Sequence, residues 1–113
     1  MKQITLADAN DFVVSAALDG TAYKLHFAYN SQGWWTVDLR DMDNTELVRG
    51  VRVIPNFPLL ASHRRVKGLP PGELMAVSVN DGGMPGRQDF LNGKYMLFYV
   101  PEEEMNAVLQ ADL

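Results

Sequence analysis

The 113-residue chain contains no cysteine, and this absence removes a whole set of chemistries. Without thiols there are no disulfides, thiolate zinc sites, iron–sulfur clusters or cysteine nucleophiles. The chain also lacks an excess of positive charge, because ten Lys and Arg residues stand against fourteen Asp and Glu residues, a formal net charge of -4. A domain that mainly neutralises phosphates carries the opposite sign, so nucleic acid is not expected as the principal partner.

Long apolar runs are missing as well. No stretch reaches the length of a membrane span, and the first eight residues turn acidic before a signal peptide's apolar core could form. We therefore expect no membrane partner, and synthesis in the cytoplasm without export. Apolar residues make up 47% and charged residues 21%, which is ordinary globular usage and predicts a single folded domain over 1–113.

Alternation of apolar and polar residues predicts strands in the first half of the chain. Segment 12–18 alternates and runs into Asp19-Gly20, a pair that favours two-residue hairpin turns because both residues tolerate positive φ. Segments 23–29 and 35–40 alternate in the same way, and 47–54 is rich in β-branched residues. Four antiparallel strands are predicted by residue 54.

The second half is less regular. Prolines, together with Phe57, Leu59 and Leu60, which need burial, predict a structured excursion over 55–72 packed on the sheet, with one helical turn near 58–63. A strand is predicted at 73–79, an exposed Gly- and Pro-rich loop within 80–92, and a central strand at 95–100, which is apolar on both parities. A short C-terminal helix should follow Pro101, with one apolar face formed by Met105, Val108 and Leu109.

This pattern predicts a mostly β fold, either a small antiparallel β-barrel or a sandwich, with a short C-terminal helix. No catalytic residue, cofactor or metal site is predicted, and the protein is interpreted as not an enzyme. His26 and His63 are the only histidines, and a reactive site would need both of them near carboxylates. The acidic segment 41–46 lacks the spacing of a calcium loop and is interpreted as a hairpin turn.

Partner-binding residues are predicted at two places. Trp34 and Trp35 are adjacent in a strand and face opposite sides, so the outward ring is a candidate interface anchor. The excursion adds the apolar Phe57 and a concentrated basic run that could meet an acidic neighbour. The predicted partner-binding set is Trp34, Trp35, Phe57, His63, Arg64, Arg65 and Lys67.

Three consecutive segments carry a resemblance to a known family. They are Leu47-Val48-Arg49-Gly50-Val51-Arg52-Val53-Ile54-Pro55, then Pro58-Leu59-Leu60, then Gly68-Leu69-Pro70-Pro71-Gly72-Glu73-Leu74. In this order and spacing the chain resembles the small baseplate plug proteins of contractile-tailed phages, of the type described in a cyanophage. The similarity extends over most of the chain, and residues 47–74 are its most specific part.

The resemblance implies a structural role in the virion. Such a protein would sit near the tail axis of the baseplate, packed against hub, spike or tail-tube proteins, after synthesis in the cytoplasm of the bacterial host. The resemblance also leaves room for a homo-oligomer within the assembly. It supplies no catalytic residues. The alternative function, drawn from the residues alone, is a small β-barrel module that binds a ligand or an oligosaccharide through exposed aromatic side chains.

Overall fold

The computed structural model describes residues 1–78 and 83–105. It contains seven strands and one short 3-10 turn at Ala61–His63. In chain order the strands are β1 (Lys2–Ile4), β2 (Asp11–Leu18), β3 (Thr21–Tyr29), β4 (Trp35–Asp41), β5 (Glu46–Arg52), β6 (Glu73–Ser78) and β7 (Tyr95–Val100).

The first sheet is an antiparallel meander in the order β2-β3-β4-β5, which confirms the four strands predicted by residue 54. Asp19 and Gly20 join β2 to β3 with φ angles of 53° and 82°, so both residues of the turn have the positive φ that Asp-Gly permits. The β4–β5 ladder contains register shifts, and Gly50 lies beside them with a φ of 68°. These bulges bend the last strand of the meander.

The second sheet has three strands in the order β1-β7-β6, all antiparallel. β7 is central, as its apolar residues on both parities predicted. β1 was not predicted, because three residues are too few to show alternation. The two sheets form a sandwich-like arrangement and do not close into a barrel, which decides between the two predicted architectures.

The core lies between the two sheets and is formed by alternate residues of their strands. Trp35 is in edge contact with Phe12, Tyr29 and Phe90, at centroid distances of 5.9, 5.2 and 6.5 Å. The largest fully buried side chains also come from both sheets and from the excursion: Phe27, Leu25, Leu39, Val37, Leu74, Leu97, Tyr95, Tyr99, Leu18, Leu59 and Leu60. Burial of this continuous apolar surface is the main force holding the sheets together.

The excursion over 55–72 packs along the outer edge of β6. Pro55 forms a parallel bridge with Ala76, and the amides of Asn56 and Leu59 donate to the carbonyls of Ala76 and Leu74 at 2.7 and 3.0 Å. Leu59 and Leu60 are buried as predicted, but the expected burial of Phe57 was wrong, because this residue is 45% exposed. The predicted helical turn is the 3-10 turn at Ala61–His63. The excursion therefore supplies backbone partners that the edge of β6 would otherwise lack.

The C-terminal segment begins as predicted. Residues 102–105 are helical immediately after Pro101, while Val108 and Leu109 of the predicted apolar face lie outside the described residues. The same holds for residues 79–82, which include the end of the strand predicted at 73–79 and the start of the predicted loop. Among the helical residues that are described, none belongs to a helix long and apolar enough to cross a membrane.

Gly72 is the position where the excursion approaches β7 most closely. Its amide donates to the Tyr99 hydroxyl oxygen at 2.8 Å, and the same hydroxyl donates to the Asp19 carboxylate of the first hairpin. A Cβ atom placed on Gly72 would collide with the carbonyl oxygen of Val100 and with the Tyr99 hydroxyl. Only glycine allows this contact without moving the backbone.

Gly72→Ala is therefore expected to destabilise the fold by about 1–3 kcal/mol, because backbone atoms would have to shift. Urea unfolding followed by circular dichroism measures the change. The control is Gly86→Ala, whose new methyl group would have the end of the Asp89 side chain as its nearest neighbour, at 3.2 Å, with no backbone atom closer. Equal stability losses for the two variants would contradict this reading of Gly72.

Candidate partner-binding surface

Trp35 is the first residue of β4 and Trp34 immediately precedes it, and the two rings lie on opposite sides of the chain, as their spacing predicted. Trp35 is 1% exposed and sits in the aromatic core, with its Nε1 donating to the carbonyl of Gly86 at 3.2 Å. Its inclusion in the partner-binding set is therefore corrected, because a buried ring cannot reach a partner. Trp34 is half-buried on the outer face and is the available member of the pair.

Trp34 belongs to a small outer surface formed by the start of β4 and the chain that leaves β5. The amide of Val53 donates to the carbonyl of Trp35 at 2.9 Å, which continues the β4–β5 ladder and brings Ile54 opposite Trp34. The guanidinium of Arg52 lies 4.1 Å from the centroid of the Trp34 ring. We call Trp34, Arg52 and Ile54 the tryptophan patch; it combines exposed apolar area with a stacked cation.

The predicted basic run divides into structural and free side chains. Arg64 donates to the carbonyls of Pro70 and Gly72 and forms an ion pair with Glu73, with 3.0 Å between its Nη2 and Oε2. Arg64 therefore holds the excursion together and has few donors left for a partner. His63 is half-buried at the end of the 3-10 turn.

Arg65 and Lys67 are exposed and have no side-chain partner within residues 1–78 and 83–105. Phe57, also from the excursion, is 45% exposed, whereas its neighbours Leu59 and Leu60 are buried. Of the predicted set, Phe57, Arg65 and Lys67 are exposed with no described side-chain partner, and Trp34 and His63 are half-buried. Arg64 is also exposed, but its donors are engaged within the excursion. Arg52 and Ile54 were missed, and only cross-strand register could have linked them to Trp34.

Glu73 was also missed by sequence reasoning. It is the one buried charged residue among those described, and its Oε1 accepts the amide of Leu60 at 2.7 Å while Oε2 pairs with Arg64. The sequence signal that could have indicated its role is the position of this carboxylate, at the start of an apolar strand and just after Pro-Pro-Gly. A charge in that position is stable only if it is hydrogen-bonded and paired, as it is here.

His26 joins two carboxylates on the outer face of the first sheet. Its Nδ1 lies 3.0 Å from the Asp38 Oδ2, and its Nε2 lies 2.6 Å from the Asp11 Oδ1. Hydrogen bonds to Asp38 and then to Asp11 raise the pKa of His26, while partial burial opposes them. Burial alone would raise the pKa of Asp38, but the bonds from His26 and from the Gly50 amide outweigh it and hold that pKa below its usual value.

This cluster links β2, β3 and β4 through Asp11, His26 and Asp38, and we call it the His26 tie. Both ring nitrogens face carboxylate oxygens, so both are engaged within the cluster, and the protonated imidazole can donate to Asp38 and to Asp11 at once. His63 does not take part in it. Within the part of the chain that the structure describes, no group of three or more His, Asp or Glu residues could hold a metal ion.

Comparison with known protein families shows the family of the chain. The family model described as "Cyanophage baseplate Pam3 plug gp18" matches residues 1–103 of the 113. The chain belongs to this baseplate plug family. The resemblance inferred from residues 47–74 is confirmed, and the match extends over both sheets. No protein with curated annotation gives a significant match.

Membership of the baseplate plug family supports a structural role in the virion and a location in the tail baseplate. It also implies contact with other baseplate proteins. The surface available for such contact includes the tryptophan patch, Phe57, Arg65 and Lys67, which lie outside the core between the sheets.

The His26 tie predicts a pH dependence of stability. Because folding raises the pKa of His26, its contribution is fully present below the unfolded pKa of about 6.5 and is lost as the pH rises through the folded value. The unfolding free energy of the wild type should exceed that of His26→Gln by more at about pH 5.5 than at about pH 8.5, by up to about 1 kcal/mol, since Asp11 is 71% exposed and screened. Urea titrations at both pH values measure the difference; the same gap at both would contradict the predicted tie.

Arg64 and Arg65 provide a matched pair of variants. Arg64→Ala should destabilise the protein by about 2–4 kcal/mol, because it leaves the buried Glu73 carboxylate without its cation and two carbonyls without donors. Arg65→Ala should change stability by no more than about 0.5 kcal/mol. The midpoints of urea unfolding, compared at an unchanged dependence of the unfolding free energy on urea, measure the stability of the two variants. Similar midpoints would rule out the structural role of Arg64.

Proposed function

We propose that this plug-family chain packs near the tail axis of a contractile-tail baseplate, against hub or tube proteins. The observation that carries the proposal is the family match over residues 1–103. The contacts are assigned to the tryptophan patch, Phe57, Arg65 and Lys67. This set retains the accessible residues predicted from the sequence and adds Arg52 and Ile54.

The chemistry of the tryptophan patch suits a protein interface. Tryptophan and arginine are enriched among residues that contribute most to binding, because they bury much apolar area and retain a polar group. Arg52 is already stacked on Trp34, so the pair loses little side-chain freedom when a partner covers it. Ile54 extends the apolar area beside the ring.

The exposed cations of the excursion, Arg65 and Lys67, would help to set the orientation in which the protein meets its partner. Arg65 and Lys67 project from a segment anchored by the Arg64–Glu73 pair and by two backbone bonds to β6. A fixed pair of positive charges on a chain of net charge -4 would orient the protein against an acidic neighbour. Charges of this kind affect association and register more than final affinity.

The first test is cryo-electron microscopy of intact particles of a phage that encodes this chain. Density for the two-sheet fold on the tail axis of the baseplate, touching hub or tube subunits, is the expected result. A baseplate resolved to side-chain level that lacks this fold would overturn the proposal.

The contact assignment is tested separately with Trp34→Ala/Arg65→Glu. The double variant should fold with nearly wild-type stability, since Trp34 is outside the core and Arg65 has no described partner, yet reduce its incorporation into baseplates by at least about tenfold. Met42→Ala/Lys94→Ala, which changes an exposed methionine and an exposed lysine in other loops, is the control. Quantitative mass spectrometry of purified particles measures incorporation. Normal incorporation of the first variant would refute the assigned contacts while leaving the baseplate role standing.

A further inference from the structure

The two sheets present four edge strands, and three of them are protected against pairing with another chain. β1 has only three residues. β5 is interrupted by bulges at Gly50 and carries the exposed Arg49, both of which discourage strand addition. β6 is covered by the excursion through the bonds to Ala76 and Leu74.

β2 is the exception. It is eight residues long and regular, and it contains no proline, glycine, lysine or arginine. Within residues 1–78 and 83–105, β3 is the one strand that pairs with it. An edge strand that is long, flat and uncharged along most of its length is a ready template for another strand.

The turn at Asp19-Gly20 determines which backbone groups of β2 are free. In a two-residue hairpin the flanking pair, Leu18 and Thr21, is hydrogen-bonded, so even-numbered residues of β2 bond to β3. The bond from the Tyr29 amide to the Asn10 carbonyl, 2.8 Å long, continues this alternation. The amides and carbonyls of residues 11, 13, 15 and 17 therefore point to the open edge, where the one bond among described residues is from Lys2 Nζ to the Ala17 carbonyl, at 3.1 Å.

The side chains of β2 also leave apolar area uncovered on both faces. Phe12, Val14 and Ala16 pack against the core but remain half-buried, because no strand of the part of the chain that the structure describes lies beyond them. Val13, on the outer face, is 56% exposed. A strand added to this edge would satisfy the free backbone groups and cover apolar side chains on both faces.

We propose that the added strand is β2 of a second copy of this chain, paired antiparallel with Val14 opposite Val14 about a twofold axis. In this register the open-edge residues of the two copies face one another as hydrogen-bonded pairs, because 11 meets 17 and 13 meets 15. The two four-stranded sheets then become one continuous sheet.

In this register the side chains that face one another across the two copies complement one another in size. On the core-facing side, Phe12 lies opposite Ala16 of the second copy, so a large side chain meets a small one at each end, with the two Val14 residues between them. On the outer side, Val13 lies opposite Ser15 of the second copy. Cross-strand pairs of apolar and β-branched residues at such positions stabilise antiparallel sheets.

The charges agree with the same register. Asp11 lies opposite Ala17 of the second copy, beside the ammonium of that copy's Lys2. Centring the pair on Ser15 would place Asp11 opposite Asp19, and like charges in that position are destabilising. Centring it on Val13 would pair only residues 11–15 of each strand and leave Ala17 beyond the ladder.

Sedimentation velocity of the full chain, with Ser15→Pro and Ser15→Ala, tests the proposal, which does not depend on the baseplate role. The wild type and Ser15→Ala should form a dimer. Ser15→Pro removes an open-edge amide from each copy while keeping every β2–β3 bond, so it should weaken the dimer by at least about tenfold. A wild type that stays monomeric at about 100 µM, where even a weak pairing would show, or a proline variant that dimerises equally well, would overturn self-pairing. In the first case the edge would remain available to a strand of another baseplate protein.

A single-cysteine scan tests the register even if the proline variant does not fold. The chain has no cysteine of its own. Val14→Cys should form a covalent dimer on oxidation, because non-hydrogen-bonded residues opposite one another have Cα atoms about 4.5 Å apart, within reach of a disulfide. Val13→Cys and Ser15→Cys should not, because each copy's cysteine would be offset from the other along the strand. Cross-linking at 13 or 15 in preference to 14 would overturn the proposed register.

Discussion

The constraint on which the structure depends is the packing of one face of the β2–β5 meander against the three-stranded sheet. In a strand each residue faces the side opposite to its neighbour, so burying Trp35, Val37 and Leu39 forces Trp34, Thr36 and Asp38 outward. The outer tryptophan patch and the His26 tie are both consequences of that alternation. The interface candidate and the core are therefore two sides of the same strands, and a slip of one residue would exchange them.

The excursion over 55–72 links stability to surface chemistry. Its backbone covers the edge of β6, its leucines complete the core, and Gly72 allows close contact with β7. The Arg64–Glu73 pair holds the segment in place, which removes one arginine from the basic run and leaves Arg65 and Lys67 projecting from an anchored segment. The excursion lies within residues 47–74, the part of the chain that carries the most specific family resemblance. Its conformation depends on the contacts just described.

The four sheet edges show how a small two-sheet domain can belong to an assembly. Three edges are short, bulged or covered, and β2 is open and regular. The tryptophan patch involves β4 and the end of β5, at the opposite side of the meander from β2. A chain with an open edge at one side and an aromatic and cationic patch at the other can contact two neighbours at once without competition between them.

Local patterns were sufficient to predict most of the strands, because alternation and Asp-Gly turn chemistry act over a few residues. They predicted the four-stranded meander, the central position of β7, the 3-10 turn and the opposite faces of Trp34 and Trp35. The sequence by itself thus determined every described strand except β1, the hairpin turns of the meander and, through residues 47–74, the family. Only the tertiary structure decided that Trp35 is the inner ring, that Arg64 is committed to Glu73, that Ile54 lies beside Trp34 and that β2 is the open edge. These facts depend on contacts between segments far apart in the chain, which no local period encodes.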